Sequence, residues 1–262
     1  MIWAMRQRRS SRKCARQLNR MNDSALTNVY RSGFFRRQNG TSARSASRIV
    51  PFVTELIAPK SVLDVGCGSG AWSKAFLEND VTSLRAVDGD YARAVLLIDA
   101  AHFTPVNLAN FDGDLGTYDL VACIEVAEHL EPERAAGFVQ LLCRHSPVIL
   151  FSAAPPGQGG THHVNEQPLS YWAEHFAQQG YRLFDIIRPV FWHDDAVQWW
   201  HRQNMVIFVD ENNHRIIDIL EQRHALTPAL LDVIHPDAFT AKTRVSAVAD
   251  NALNRIRRRF GA

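Results

Sequence analysis

Two groups of residues in this chain have types and spacings that could do chemistry. The first is the glycine-rich run Gly66-Cys67-Gly68-Ser69-Gly70, with Asp64 two residues before it. Where a strand turns into a helix, such glycines let the backbone approach a ligand closely and direct N–H groups at it. We therefore expect an anionic or strongly polar ligand at this loop.

Two acids narrow the nature of that ligand. Gly66, Gly68 and Ala71 also satisfy the dinucleotide fingerprint GxGxxG/A, and Asp88 lies at the distance expected of a ribose-binding acid in either class. A carboxylate at Asp64, however, would repel a pyrophosphate and suits the cationic amino group of a methionine moiety. The pattern therefore favours S-adenosylmethionine. The alternative is a plain tight turn in which Asp64 is a buried hydrogen-bonding residue.

The second group consists of Glu125, Glu128 and His129, followed later by His162 and His163. The first three follow a predicted strand, and positions i, i+3 and i+4 share a face of a helix. The two later histidines follow the next predicted strand, and parallel strands present their carboxyl ends at one edge of a sheet. We predict that these five residues are catalytic and line the part of the site that binds the second substrate, the acceptor.

Four of these side chains could bind a divalent metal ion: Glu125, Glu128, His129 and one of the two later histidines, for which we choose His163 over His162. Two carboxylates and two imidazoles suit Mn, Fe, Co or Zn, with Mg as a further candidate. Such an ion could chelate neighbouring hydroxyls and lower the pKa of one of them. The alternative is that Glu128 and His129 cap and pack a helix start, and that His129 or His163 is a metal-free general base.

The elements around these residues alternate between short apolar runs and helical patterns. Predicted strands span Ser61–Val65, Leu84–Val87, Tyr118–Val126 and Pro147–Ala153, and predicted helices span Ala71–Leu77, Tyr91–Ile98 and Glu131–Cys143. This alternation predicts an α/β protein with a doubly wound parallel sheet. A helix over Ala43–Ile57 leads into the sheet, and Pro51 is tolerable there only near the first turn.

The second half of the chain completes the predicted domain. A helix over Leu169–Gln179 precedes two closing strands, Arg182–Trp192 and Met205–Val209. The stretch from Gly157 to Gly160 predicts a mobile loop over the acceptor pocket or a plain flexible connection. We divide the chain into a basic, disordered tail at 1–24, a catalytic domain at 25–210, and a helical extension at 211–262 that could contact a protein partner.

Four segments carry a resemblance: Val62 to Trp72, Ala86 to Tyr91, Tyr118 to Leu130, and Phe151 to Trp172. They resemble bacterial class I S-adenosylmethionine-dependent methyltransferases, of a kind similar to proteins of sugar or cell-surface glycan metabolism. The resemblance covers residues 25–210. It implies a Rossmann-like, doubly wound, seven-stranded sheet whose last strand is antiparallel.

The resemblance also implies site residues. Gly66 and Gly68 would line the cofactor, and Asp88 would hold the ribose hydroxyls. Asn107 and Leu108 occupy the position where related sequences show Asp-Leu, whose acid accepts from the adenine amino group; an amide oxygen can accept the same bond. The predicted cofactor-binding residues are Asp64, Gly66, Cys67, Gly68, Gly70, Asp88, Gly89, Asn107 and Leu108. Separately, the ExxEH pattern at 125–129 with a later histidine resembles two metal-using groups, the small-RNA 2′-O-methyltransferases and the ubiquinone-pathway O-methyltransferases.

Composition limits the partners. Seven Lys and Arg residues lie in the first twenty positions, more than the formal net charge of +2 for the whole chain, so the rest is net acidic and unlike a nucleic-acid binder. No membrane span is evident, and the four cysteines show no ligand spacing, so we expect a cytoplasmic protein with reduced thiols.

We predict O-methylation of a hydroxyl on a sugar, glycan precursor or other small polar metabolite. The alternatives are a metal-dependent RNA 2′-O-methyltransferase and a catalytically silent cofactor-binding module.

Overall fold

The structure, a computed structural model, describes residues 32–223 and 231–241. The predicted basic tail at 1–24 lies outside the described residues, as does most of the predicted C-terminal extension. Within the described extension, one helix spans His214–Arg223, and residues 236–241 form a short helical segment.

The described chain forms one seven-stranded sheet in the order β3-β2-β1-β4-β5-β7-β6. The strands are β1 (Ser61–Val65), β2 (Ser83–Asp88), β3 (Phe103–Pro105), β4 (Leu120–Ile124), β5 (Val148–Ser152), β6 (Tyr181–Phe184) and β7 (Val206–Asp210). Strand β7 runs antiparallel to both of its neighbours, and the pairs from β3 to β5 are parallel. The predicted doubly wound sheet with an antiparallel last strand is therefore confirmed.

Helices cover both faces of this sheet. They are α1 (Ser32–Ile57), α2 (Ala71–Leu77), α3 (Ala135–His145), α4 (Leu169–Ala177), α5 (Ile187–Phe191), α6 (Trp199–Asn204) and α7 (His214–Arg223). Alternate strand residues feed two separate cores, so that Val62 packs in the core with α1 and α2, whereas Leu63 packs in the core with α3 and α4. Burial on both faces explains why the strands are almost uninterrupted apolar runs.

Helix α1 corrects one prediction. It begins at Ser32, so Pro51 lies deep in the helix and not near the first turn, as we predicted. An interior proline costs about 3 kcal/mol, because one backbone hydrogen bond is lost and the ring crowds the preceding turn. The helix tolerates this cost because Ile49, Val50 and Val53 are completely buried beside it.

The first closing strand is also shorter than predicted. Strand β6 ends at Phe184, and the rest of the predicted strand Arg182–Trp192 includes helix α5. The guanidinium of Arg188 donates two hydrogen bonds to Asp185, at 2.9 and 2.6 Å, across an i,i+3 spacing. Pro189 has no N–H to give to a sheet. Both features favour a helical turn over a strand.

The segment after β2 differs from its prediction as well. The predicted helix Tyr91–Ile98 is a 3-10 helix over Asp90–Val95, and the short strand β3 that follows was not predicted. Strand β3 pairs with the end of β2, and the N–H of Val106 donates to the carbonyl of Asp88 at 2.7 Å. This last bond fixes residues 106–108 beside the carboxyl end of β2. A three-residue strand is too short to give a periodic signal in the sequence.

Candidate active site

The glycine-rich turn joins β1 to α2 with an unusual backbone. Gly66, Gly68 and Gly70 all have left-handed φ values, of 75°, 55° and 75°. A Cβ atom on Gly66 would lie 2.4 Å from Cγ2 of Val126, which follows β4. Glycine is therefore required at Gly66 by both conformation and space. Cys67, between these glycines, is buried, and burial raises the pKa of its thiol, so it stays protonated.

Asp88 ends β2 and is tied directly to the glycine-rich turn. Its carboxylate accepts the N–H of Gly68 at 2.7 Å, the N–H of Gly89 at 2.7 Å and the hydroxyl of Tyr91 at 2.5 Å. Burial raises the pKa of Asp88, and these three donors counteract part of that rise. The carboxylate is held in one place before any ligand binds.

Asp64 lies in β1, just ahead of the turn. It is 3% exposed, and its carboxylate accepts the hydroxyl of Ser73 in α2 at 2.5 Å. Burial raises the pKa of Asp64 to about 7, and the nearby charge of Asp88 adds to the rise. Asp64 therefore changes its charge near neutral pH. Ser73 was not predicted as a site residue, although a serine on the buried face of a short helix is a usable signal.

Asn107 and Leu108 follow β3 at the same edge of the sheet. Asn107 is exposed, and its side-chain oxygen accepts the N–H of Ala109 at 3.1 Å. Leu108 is buried at 8% exposure. An amide oxygen has two lone pairs, so Asn107 can accept one further hydrogen bond.

The segment after β4 corrects the predicted geometry of the acceptor side. Glu125 has a left-handed φ of 55°, and only Ala127–His129 form a 3-10 turn, so the predicted common helical face is wrong. The N–H of Glu125 is still bonded to β5, through the carbonyl of Ser152 at 3.0 Å. The chain therefore leaves the sheet in a sharp bend instead of entering a helix.

The Glu125 side chain points to two amides that were not predicted. Its carboxylate accepts Nε2 of Gln158 at 2.7 Å and Nδ2 of Asn204 at 3.1 Å. Burial raises the pKa of Glu125, and the two amide donors offset part of that rise.

Glu128 is in a different position. It is completely buried, and neither carboxylate oxygen has a hydrogen-bond partner of standard geometry among the described residues. Burial raises its pKa well above the usual range, the charge of Glu125 adds to this, and the nearby backbone amides of Glu128 and Ala154 lower it only in part. An ionised carboxylate that is buried with such weak hydrogen bonding costs free energy, and a bound cation would offset that cost.

Two histidines lie beside Glu128. The rings of His129 and His163 are edge to face, with centroids 4.8 Å apart. Nδ1 of His129 lies 3.1 Å from the carbonyl oxygen of His162, and Nδ1 of His163 lies 2.9 Å from Oε1 of Glu166. In the neutral rings, Nδ1–H donates to these oxygens, so Nε2 is the nitrogen that carries the lone pair. Burial lowers the pKa of His129 to about 4, which keeps its ring neutral.

One ligand atom from each of Glu128, His129 and His163 lies within 4.8 Å of the others. Glu125, which we predicted as a fourth metal ligand, lies outside this group because its carboxylate is turned to the two amides. The exposed side chain of His162 is outside it too, and this residue contributes its backbone carbonyl instead.

The glycine-rich segment at 157–160 is anchored in the structure. Glu166 accepts the N–H groups of Gly157 and Gly159 at 2.8 and 2.5 Å, in addition to Nδ1 of His163. The backbone carbonyl of Glu128 accepts two further N–H groups, from residues 164 and 165, at 3.0 Å. These bonds hold the segment, and with it His163, against the turn after β4.

Comparison with known proteins decides the family. Residues 35–205 match the family model Methyltransf_23, described as a methyltransferase domain. The match covers more than half of the chain and includes every residue of the site described above. The chain belongs to the class I S-adenosylmethionine-dependent methyltransferases.

Among curated proteins, this methyltransferase is similar to ubiquinone biosynthesis O-methyltransferases of Acinetobacter baumannii. The protein from strain ACICU is 28% identical over 127 residues, which make up 44% of this chain and 48% of that protein. The protein from strain AYE is 27% identical over the same length. The matched part of the methyltransferase spans about half the length of these relatives.

Solved structures show the same fold. A sugar N-methyltransferase from Streptoalloteichus has a TM-score of 0.52 at 17% identity, over 67% of this chain and 90% of that one. Magnesium protoporphyrin IX methyltransferase from Synechocystis, with bound S-adenosylhomocysteine, has a TM-score of 0.50 at 15% identity, over 72% and 99% of the two chains. Within the described part of the methyltransferase, no helix is both long and apolar enough to span a membrane.

Proposed function

We propose that this methyltransferase transfers a methyl group to a hydroxyl of a sugar, a glycan precursor or another small polar metabolite, assisted by a divalent metal ion. The observation that carries the proposal is the buried Glu128 carboxylate, which has no hydrogen-bond partner of standard geometry among the described residues and lies beside His129 and His163. The curated relatives named as O-methyltransferases support oxygen as the acceptor atom.

For the cofactor, we propose binding by groups that hydrogen bonds within the chain already hold in place. Asp64 would receive the cationic amino group of the methionine moiety, and the N–H groups of the glycine-rich turn would face its carboxylate. Asp88 would accept from the ribose hydroxyls, and Asn107 from the adenine amino group. S-adenosylmethionine supplies a methyl group that is already activated. The protein therefore has only to align the acceptor and remove its proton.

The three residues Glu128, His129 and His163 fit a divalent metal ion. They offer one carboxylate and two imidazoles, a donor set suited to Zn, Mn, Fe or Co. Three protein ligands would leave room for another molecule on a bound ion, as catalytic metal sites require. A bound ion would lower the pKa of a hydroxyl that it contacts. Glu125, separate from this group, would accept a hydrogen bond from the acceptor.

The first test is isothermal titration with S-adenosylhomocysteine, with NAD as the control ligand and Asp88→Ala as the control variant. We expect binding of S-adenosylhomocysteine alone, and its loss in Asp88→Ala. Absence of binding would contradict the cofactor assignment.

The second test is transfer of a radiolabelled methyl group from S-adenosylmethionine to a panel of sugars, nucleotide sugars, catechols and a small RNA duplex. The panel is run with Mn²⁺, Co²⁺, Zn²⁺ or Mg²⁺ and after EDTA treatment. We expect metal-dependent labelling of a small hydroxyl compound, and its loss in Glu128→Gln. Full activity without metal would reject the metal, labelling of RNA alone would favour an RNA methyltransferase, and cofactor binding without any labelling would favour a silent module.

A further inference from the structure

Residues 231–241 of the C-terminal extension are fixed to the methyltransferase domain beside the acceptor site. Nη1 of Arg188 donates to the carbonyl of Leu231 at 2.8 Å, and Nη2 of Arg202 donates to Asp237 at 2.6 Å. The ring of His235 packs on Trp192 with centroids 4.5 Å apart, and His235 is 4% exposed. This segment therefore packs against the methyltransferase domain as part of its folded structure.

A chain of amide hydrogen bonds leads from this segment to Glu125. The backbone N–H of His235 donates to Oε1 of Gln203 at 2.7 Å. Nε2 of Gln203 donates to Oδ1 of Asn204 at 2.9 Å. Nδ2 of Asn204 then donates to Glu125 at 3.1 Å and to Oε1 of Gln158 at 2.8 Å.

The direction of every bond in this chain is set by its first member. A backbone N–H can only donate, so Gln203 must turn its oxygen towards His235 and its NH₂ group towards Asn204. Asn204 must in turn present its oxygen to Gln203 and its NH₂ group to Glu125. Gln203 and Asn204 are 3% and 5% exposed, so water does not compete for these bonds. Reversing either amide would leave a buried donor facing a donor, which is costly.

We propose that Asn204 is a positioning residue whose amide orientation is set by the His235 backbone through Gln203, and which holds the Glu125 carboxylate at the acceptor site. The inference rests on the proposed function only in assigning Glu125 to the acceptor. A left-handed backbone at Glu125 is strained for a residue with a side chain, and the two amide donors compensate by fixing that side chain. The C-terminal segment thus completes the acceptor site from within the chain.

The test compares two variants of one residue. His235→Ala and His235→Pro both remove the imidazole, but only His235→Pro removes the backbone N–H that begins the chain of bonds. The readout is the rate at which the side-chain NH₂ protons of Asn204 exchange with water, measured by NMR on ¹⁵N-labelled full-length protein. Asn204→Leu assigns the signal. Asn79, whose NH₂ group donates to the carbonyl of Ala75 at 2.8 Å, is the internal reference.

We expect exchange at Asn204 to be at least tenfold faster in His235→Pro than in His235→Ala, with Asn79 unchanged. Gln203→Glu, whose side chain still accepts from His235 but cannot donate to Asn204 when ionised, should have the same effect as His235→Pro. Equal exchange at Asn204 in His235→Ala, His235→Pro and Gln203→Glu would overturn the proposal. If His235→Pro fails to fold, the exchange rate at Asn204 in Gln203→Glu is compared with that in wild type. An increase of at least tenfold, with Asn79 unchanged, then supports the proposal, and equal rates overturn it.

A second measurement separates positioning from a purely structural role. With a substrate from the acceptor panel, Asn204→Leu should lower kcat at least tenfold and change the affinity for S-adenosylhomocysteine less than twofold. An unchanged kcat would overturn the role at Glu125. The exchange measurement needs neither cofactor nor acceptor. A protein that binds no S-adenosylhomocysteine would therefore contradict the proposed function while leaving the amide chain testable.

Discussion

The proposed cofactor half of the site (residues 62–91) and its proposed acceptor half (residues 125–129 and 157–166) are built differently. In the cofactor half, both buried acids have partners, Asp64 in Ser73 and Asp88 in two backbone amides and Tyr91. In the acceptor half, Glu128 is buried and has no partner of standard geometry among the described residues. The chain therefore satisfies both buried carboxylates of the cofactor half with its own donors, whereas Glu128 in the acceptor half has no such donor of standard geometry among the described residues.

Backbone conformation separates the glycine-rich turn from the acceptor half. The turn is left-handed at Gly66, Gly68 and Gly70, which adopt this conformation without strain, and Asp80, with a φ of 63°, follows the end of α2. In the acceptor half, Glu125 and His162 adopt left-handed φ values of 55° and 64°. Strain of this kind costs about 1–3 kcal/mol and concentrates at functional sites. The acceptor half thus carries backbone strain that the glycine-rich turn avoids.

The largest effect should come from Gly66→Ala, where the two halves meet. The alanine would have to adopt the left-handed backbone of Gly66. Its Cβ would lie 2.4 Å from Cγ2 of Val126, a side chain that is stiff because it is branched at Cβ. We expect the free energy of unfolding to fall by about 2–4 kcal/mol, with loss of S-adenosylhomocysteine binding. Denaturant unfolding and isothermal titration measure both.

Gly40→Ala provides the matched control for this change. Nothing lies within 4 Å of a Cβ at Gly40, which is in helix α1. There the alanine should stabilise the protein by up to about 1 kcal/mol. If Gly66→Ala is as stable as wild type, the two halves are not packed as described.

The next largest effect should come from Glu128→Gln in the acceptor half. Burial raises the pKa of Glu128, so the stability that this group contributes is present below its unfolded pKa and lost as the pH rises through its folded pKa. At pH 8 without metal, Glu128→Gln should therefore be more stable than wild type by about 1–3 kcal/mol. The same variant should bind Co²⁺ much more weakly. The exposed Glu133→Gln is the control, and a destabilised Glu128→Gln would mean that this carboxylate is already satisfied.

The same contrast explains what the sequence could predict. The cofactor half is a local motif, in which Asp64, the glycines and Asp88 lie close together in the sequence and fixed conformations follow from residue type. The alternation of strands and helices likewise predicted the sheet, and with it the edge at which the carboxyl ends of the parallel strands present the site residues. The acceptor half depends on contacts distant in sequence, such as Glu125 with Asn204, which are 79 residues apart. No local pattern reports such a pair. The ExxEH spacing indicated a helix, whereas Glu125 has a left-handed backbone and a 3-10 turn follows it.

A smaller effect, confined to the acceptor half, should come from Gly160→Ala. A Cβ at Gly160 would lie 2.2 Å from Nε2 of His163, so the ring must move. Because a side chain can yield where a backbone cannot, we expect a loss of stability below about 1 kcal/mol. Misplacing a ligand should weaken Co²⁺ binding by about tenfold or more.

Binding of S-adenosylhomocysteine to Gly160→Ala should equal that of wild type, because Gly160 belongs to the acceptor half and the three atoms nearest the new Cβ all belong to His163. Spectroscopic titration with Co²⁺ and calorimetry with S-adenosylhomocysteine test the two halves separately. A parallel loss of both affinities would show that the halves are coupled and would break the comparison.

The smallest effect concerns the cofactor half, where the affinity for S-adenosylhomocysteine should depend on pH through Asp64. Burial raises the pKa of Asp64 from 3.8 to about 7, so the ligand-free protein gains stability from this group below pH 3.8 and loses it as the pH rises through about 7. The ammonium group of S-adenosylhomocysteine favours the ionised carboxylate. Its affinity should therefore rise up to about tenfold per pH unit below this folded pKa and level off above it.

Ser73→Ala removes the hydroxyl that donates to Asp64 and should move this profile upward by about one pH unit, because hydrogen bonds to a charged group are worth about 1.5–3 kcal/mol and water replaces part of the loss. Asp64→Asn should flatten the profile. Calorimetric titrations from about pH 5.5 to about pH 8.5 span the folded pKa and measure all three. A profile that persists in Asp64→Asn would assign the titration to another group, with Asp88 the first candidate, because it too is buried with a raised pKa.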